Sequence, residues 1–273
     1  NAWQDVAKLG RTELMDAVPV TLGAEFGAYA QAVTRDRWRL YKVEERLRQI
    51  SLGGAAVGTS AGASRAYRFG VIERLRELTG IGLASAEYPM DITQNNDVFV
   101  EVSGLLKALA VNLLKISGDL RLMNSGPRGG FGEIRLAPLQ AGSSIMPGKV
   151  NPVIPEMAMQ AAMRVAANDA AITMAASRGE FELCAFLPLI ADALLESLSL
   201  LTRAVTLLRE KCIETLEPDE ARCGELLARS LAFAPEYIEG LGYDAVAKAV
   251  AENGGDPKKT RRALDGMLAE KEK

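Results

Sequence analysis

Residues 95–123 carry apolar side chains at a spacing that only one backbone form can bury. Val102, Leu105, Leu106, Leu109, Leu113, Ile116 and Leu120 follow one another at helical steps, so they line one stripe of an α-helix. The pattern recurs. Between residues 21 and 50 the stripe is Phe26, Val33, Leu40, Val43, Leu47 and Ile50; between 188 and 208 it is Leu194, Leu198, Leu201, Val205 and Leu208. Residues 152–177 are rich in Ala and Met, with few polar side chains on any face. A shorter helix fits residues 67–78, closed by Gly80. The longer segments make helices about 30–45 Å long, and such helices are not stable singly. The sequence therefore predicts an all-α fold. It is an elongated multi-helix bundle in which every Leu stripe is core. The Ala-rich helix lies at the centre of the bundle or is buried by other subunits.

The character changes near Glu217-Pro218. Segments become shorter and are broken by Pro235, Gly240, Gly242 and the pair Gly254-Gly255. This divides the chain into a central bundle domain, residues 1–215, and a small C-terminal helical domain, residues 216–273, with a solvated charged tail. The opening NAWQDV has no initiator Met, which reads as a fragment or a processed chain.

Composition matters mainly for what it excludes. The chain has no histidine, which removes Ser-His and Cys-His nucleophile pairs and the usual general base. The three cysteines, Cys184, Cys212 and Cys223, lack metal-ligand spacing, so no metal and no cofactor is expected. Their odd number and scatter argue against a disulfide framework and fit a cytoplasmic protein. A formal net charge of −3 offers no basic excess for a nucleic-acid backbone. No apolar run is long enough to cross a membrane.

Against this helical background stands QAGSSIMPGKVNPVIPE, residues 140–156. Gly142 and Gly148 give backbone freedom at both ends, which suits a mobile lid. Asn151 followed by Pro152 is the pattern of an N-cap and a first helical position. A helix N-terminus beside the Lys149 ammonium makes a site for a carboxylate. Ser143 and Ser144 sit next to it. A serine hydroxyl becomes a base only where N–H donors and positive charge stabilise its alkoxide. Glycine-rich backbone and a nearby lysine are the means available here. The same residues also fit a plain Gly/Pro turn. A phosphate-binding loop matches poorly, because five residues separate Gly142 from Gly148 and Val150 follows the lysine.

GSSIMPGKVNP resembles the signature loop of the aspartase/fumarase superfamily. GRTELMDAVPVTLGAEF, residues 10–26, is similar to that family's second conserved region. TQNNDVFVEVSGLLKALAVNLLKISGDLRLMNSGPRGGFGEI matches further. The resemblance implies elimination of ammonia, water or an amine from a small dicarboxylate of succinyl type, leaving fumarate. It implies Ser143 as the general base, with Glu156 also at the catalytic centre. Lys149 and Asn151 would bind a substrate carboxylate, Thr12 would add a hydrogen bond, and Ser144 and Met146 would shape the closed loop. The family assembles as a homotetramer with a central helical core, its active sites drawn from different subunits. KVNPVIPE and LMNSGPRGG lean towards aspartate ammonia-lyase activity. A class II fumarase or another succinyl-substrate lyase is the alternative, and a non-catalytic oligomerisation core or inactive fragment a further one.

Three departures set the chain apart. Glu13 stands where the family usually has His or Gln, near the position of Glu156. Two carboxylates there, beside a dianionic substrate, are expected to repel, so that one holds a proton. Alternatively Glu13 faces a substrate ammonium, turns to solvent or pairs with an arginine. GTSAG, residues 58–62, replaces the usual GTGxN. Cys184 replaces a common asparagine and reads as a small buried residue. The family's first domain would precede residues like Asn1, so its substrate contacts are not among these residues.

Overall fold

The computed structural model describes residues 2–271. The chain opens with a hairpin, β1 (Ala7–Thr12) and β2 (Met15–Thr21), and passes into α1 (Leu22–Tyr41). A single-turn helix α2 (Val43–Arg46) and a two-residue strand β3 (Gln49–Ile50) follow. Then come α3 (Arg65–Thr79), β4 (Ala84–Ser85), α4 (Pro89–Gln94) and the long α5 (Asp97–Met123). Beyond β5 (Ile134–Arg135) and the loop lie α6 (Val153–Ala176) and α7 (Leu187–Leu208), which continues into a π-helical turn at Arg209–Ile213. The C-terminal part holds β6 (Glu217–Pro218), α8 (Glu220–Ala228), α9 (Ile238–Leu241), α10 (Tyr243–Glu252) and α11 (Pro257–Lys271). The fold is a helical bundle, as the apolar periodicity requires.

Two compact units form. The first contains residues 1–30, 122–137 and 216–273; the second contains residues 31–121 and 138–215. In the second unit α5 buries Val102, Leu106, Leu109, Leu113, Ile116 and Leu120 along one stripe, alternating steps of four and three. In α6 the buried face is small and alanine-rich: Ala158, Ala161, Ala162, Val165, Ile172 and Ala175. Small side chains let this face approach α7, which buries Ile190, Ala193, Leu194, Leu201, Ala204 and Leu208 in return. Helix α3 is delimited as its sequence dictates. Ser64 Oγ accepts from the Tyr67 N–H at the start, and Gly80, at φ 68°, closes the end. The first unit has its own apolar cluster of Phe233, Ala234, Tyr237, Val246, Ala249 and Leu264.

Three sequence expectations are corrected. Residues 7–21, within a fold expected to be all-α, form a β-hairpin. The helix expected over 21–50 ends at Tyr41, and α2 and β3 follow. Several stripe residues read as core are exposed in the single chain. Val33 is 39% exposed, Leu198 42% and Val205 38%. They lie on helix sides that the described residues cover only in part. The outer face of α6 is likewise open, with Met163 and Met174 exposed.

Candidate active site

The serine-bearing loop is held by its own backbone. Ser143 N–H donates to the Lys149 carbonyl at 3.1 Å, and Lys149 N–H donates to the Met146 carbonyl at 3.1 Å. Inside this ring, Ser143 Oγ accepts from the N–H groups of Ile145, at 3.2 Å, and Met146, at 3.1 Å. The glycines make the turn feasible. Gly148 sits at φ 79°, where a side chain would be strained. A Cβ on Gly142 would lie 3.1 Å from the Lys149 carbonyl oxygen. Ser143 is half-buried, while Ser144, Met146, Lys149 and Asn151 are exposed. Lys149 forms no ion pair among the described residues.

The start of α6 differs from the expected cap. The helix begins at Val153, with Pro152 in the N-cap place and no side-chain capping bond. Asn151 contributes its carbonyl, which accepts from Val153 N–H at 2.9 Å. Pro155 has no N–H, and Glu156 N–H donates to the Pro152 carbonyl at 3.2 Å. The two prolines and the Val153 bond leave the helix start with fewer free donors than the Asn-Pro pattern implies. An anion at this end would therefore depend more on Lys149 and the serine turn than on the helix.

Glu156 lies in the first turn of α6, where its Oε1 is 3.4 Å from Arg121 Nη2. Arg121 also reaches Met159 Sδ at 3.8 Å. Sequence reasoning missed this arginine. Its position in the last turn of α5 was legible, but the carboxylate it faces is set by tertiary packing.

Thr12 and Glu13 lie at the tip of the β1–β2 hairpin in the first unit. The tip is a two-residue turn with both central residues left-handed, Glu13 at φ 53° and Leu14 at φ 67°. Both Thr12 and Glu13 are exposed, and Glu13 forms no ion pair among the described residues. The arginine-pairing option for Glu13 is therefore not realised among the described residues. The nearby Arg11 is already committed: its Nη1 donates to Glu133 Oε1 at 2.8 Å, and its guanidinium lies 4.1 Å above the Phe131 ring.

Ser143, Ser144, Met146 and Lys149 thus share one loop, with Asn151 and Glu156 at the adjoining helix start. Thr12 and Glu13 share the hairpin tip. All three cysteines are buried and free. Burial pushes the Cys212 thiol up to about 11; burial, then the Glu133 carboxylate, does the same for Cys223. Neither is a nucleophile at neutral pH. Cys184 Sγ faces the Ala175 carbonyl at 3.8 Å. The divergent segment 58–62 carries Ser60 at φ 61° and Gly62 at φ 81°. Gly62 borders a cavity of about 820 Å³ lined also by Ser51, Gly53, Ser64 and Tyr67. Among the described residues no group of three or more Cys, Asp or Glu is placed to hold a metal ion. No helix among them is long and apolar enough to cross a membrane.

The helical bundle is the fold of solved fumarate lyases. The chain superposes on the crystal structure of a fumarate lyase:delta crystallin from Brucella melitensis bound to cobalt. That match has a TM-score of 0.89 and 41% identity, over 99% of this chain and 61% of that one. A class II fumarase from Schistosoma mansoni gives a TM-score of 0.85 at 27% identity, over 97% and 59%. The family model described as Lyase matches residues 1–167, and the chain belongs to that family. Curated relatives include an aspartate ammonia-lyase from Pseudomonas aeruginosa, 45% identical over 91% of this chain and 53% of that protein. A class II fumarate hydratase from Corynebacterium efficiens is 41% identical over 98% and 57%. The chain spans about half the length of the curated relatives it matches.

Proposed function

We propose that this chain carries the base-bearing loop of a lyase that eliminates ammonia from L-aspartate to give fumarate. The observation that carries the reading is the double N–H donation to Ser143 Oγ from Ile145 and Met146. Those donors would stabilise negative charge on that oxygen as it loses its proton, and the Lys149 ammonium on the same turn would add to this. The alkoxide then removes a proton from the carbon beside one carboxylate of the substrate. The electron pair passes into that carboxylate as an aci-carboxylate dianion. It returns to form the double bond as the C–N bond breaks and ammonia leaves with the bonding pair. Lys149 and Asn151 hold the carboxylate whose charge grows, so they bind the transition state more tightly than the ground state. Thr12 adds a hydrogen bond, Ser144 and Met146 shape the closed loop, and Glu156 is held at the helix start by Arg121.

The assembly fitted to this reading is a homotetramer. The uncovered apolar side chains of α1, α6 and α7, among them Val33, Met163, Leu198 and Val205, are what other subunits would bury. A second reading, hydration of fumarate to malate, is favoured by the fumarate hydratase match over nearly the whole chain. The test supplies the full-length protein with L-aspartate and, separately, L-malate, and follows fumarate absorbance in the ultraviolet. Growth with aspartate alone supports the ammonia-lyase. Growth with malate alone supports the hydratase. No growth with either, from an intact tetramer, leaves an oligomerisation core.

A further inference from the structure

We infer that buried Glu133 is a positioning residue, which fixes the hairpin tip carrying Thr12 and Glu13 through its ion pairs with Arg11 and Lys8. The inference rests on the reading of that tip as a substrate contact.

Glu133 is fully buried and joined on every side. Its N–H donates to the Met123 carbonyl at the end of α5, and its carbonyl accepts from Asp219 N–H, both at 2.8 Å. Cys223 Sγ lies 3.6 Å from the same carbonyl. The carboxylate faces β1. Oε1 accepts from Arg11 Nη1 at 2.8 Å, and Oε2 lies 3.3 Å from Lys8 Nζ. Lys8 is 2% exposed and donates in turn to Glu25 Oε1 at 2.8 Å.

Two strand residues three apart reach one carboxylate. In a regular strand, residues 8 and 11 point to opposite faces. The register of β1 against β2 slips between Leu9 and Arg11, with Ala17 and Val18 of β2 standing opposite Gly10; such a bulge bends the pair and adds twist, and the long Lys8 and Arg11 side chains both reach Glu133. Gly10 permits the close pairing, since a Cβ there would lie 2.6 Å from the Val18 carbonyl oxygen. The residue after Arg11 is Thr12, which is exposed at the turn.

As a stability device the cluster is poor. Glu25 Oε2 and Glu133 Oε2 accept no hydrogen bond, and buried charge is costly where it is incompletely satisfied. What two cations on one fixed carboxylate supply is registry. Arg11 cannot slide along the strand or rotate without breaking its bond to Glu133 and leaving the Phe131 ring. Thr12 and Glu13 inherit that fixed position.

The test compares Glu133→Gln and Arg11→Lys with the wild-type full-length protein. The first keeps size and removes charge. The second keeps charge, removes the guanidinium fork and alters a side chain that is partly exposed, so it preserves folding if the first does not. Two readouts are taken: amide hydrogen exchange across residues 7–21, and kcat and KM for fumarate formation from L-aspartate. The inference expects exchange in the hairpin to quicken by about tenfold, with α5 and α6 protected as in wild type. It expects KM to rise by about tenfold while kcat changes much less. Unchanged hairpin exchange in both variants overturns the anchoring, whatever the kinetics. A loosened hairpin with unchanged KM overturns its service to the site. If wild type forms no fumarate from aspartate or malate, the proposed reaction fails, and hairpin exchange alone decides the anchor.

Discussion

The backbone N–H of Ser143 and the carbonyl of Lys149 meet at 3.1 Å, closing a turn that aims two further N–H groups at the Ser143 hydroxyl oxygen. The turn depends on two residues without side chains. Gly148→Ala would place a Cβ in the left-handed region, at a local cost of about 1–2 kcal/mol. The expected outcome is a fall in kcat with little change in the unfolding midpoint, since the loop is exposed and carries little of the core. A wild-type kcat in this variant would contradict the role of the turn.

In the proposed reaction Lys149 would meet charge both in the bound substrate and in the developing dianion. Lys149→Ala is expected to raise KM and lower kcat together. Lys149→Arg should recover part of the loss in KM, because a cation is retained. Steady-state kinetics on the two variants check this, and unchanged kinetics in the Ala variant would take the lysine out of the site.

The uncovered apolar side chains make a prediction about assembly. Leu198 is 42% exposed on α7, and Leu198→Glu would put a charge among side chains that the proposed tetramer buries. Light scattering should show smaller species, while far-ultraviolet circular dichroism keeps its helical signal. An intact tetramer in this variant would exclude the α7 face from the interface.

The buried thiols predict a pH dependence of stability. An ordinary thiol titrates near 9.0, whereas Cys212 and Cys223 keep their protons to about 11. The unfolded chain therefore loses these protons first. Their contribution is fully present below about pH 9 and is lost as pH rises towards 11. Urea midpoints across that window should fall more steeply in wild type than in a Cys212→Ala, Cys223→Ala variant. Equal slopes would contradict the assignment.

The long helices were legible because their apolar residues repeat at a helical period, and α5 buries its Val102 to Leu120 stripe as that period requires. Which stripe positions lack a neighbour was not legible: Leu194 and Leu198 look alike in sequence, yet only Leu194 is buried within the chain. The hairpin was hidden for local reasons. Residues 8 to 10 are buried in succession, so the alternation that marks a strand is lost. Its turn uses Glu13-Leu14, not the Asn-Gly or Asp-Gly that signals a two-residue hairpin. In the candidate site the glycine-dependent turn was readable from Gly142 and Gly148. The N-cap was misassigned because Asn-Pro fits a cap locally, whereas the helix starts one residue later. Arg121 beside Glu156 and Glu133 beneath Arg11 are partners that only the folded chain brings together.

The most direct measurement is fumarate formation from L-aspartate by the full-length protein and its Ser143→Ala variant, at matched protein concentration. Loss of a general base is expected to lower kcat by about 10²–10⁴-fold, with assembly and unfolding midpoint unchanged. A Ser143→Ala variant that forms fumarate at the wild-type rate would contradict the assignment of this hydroxyl as the base.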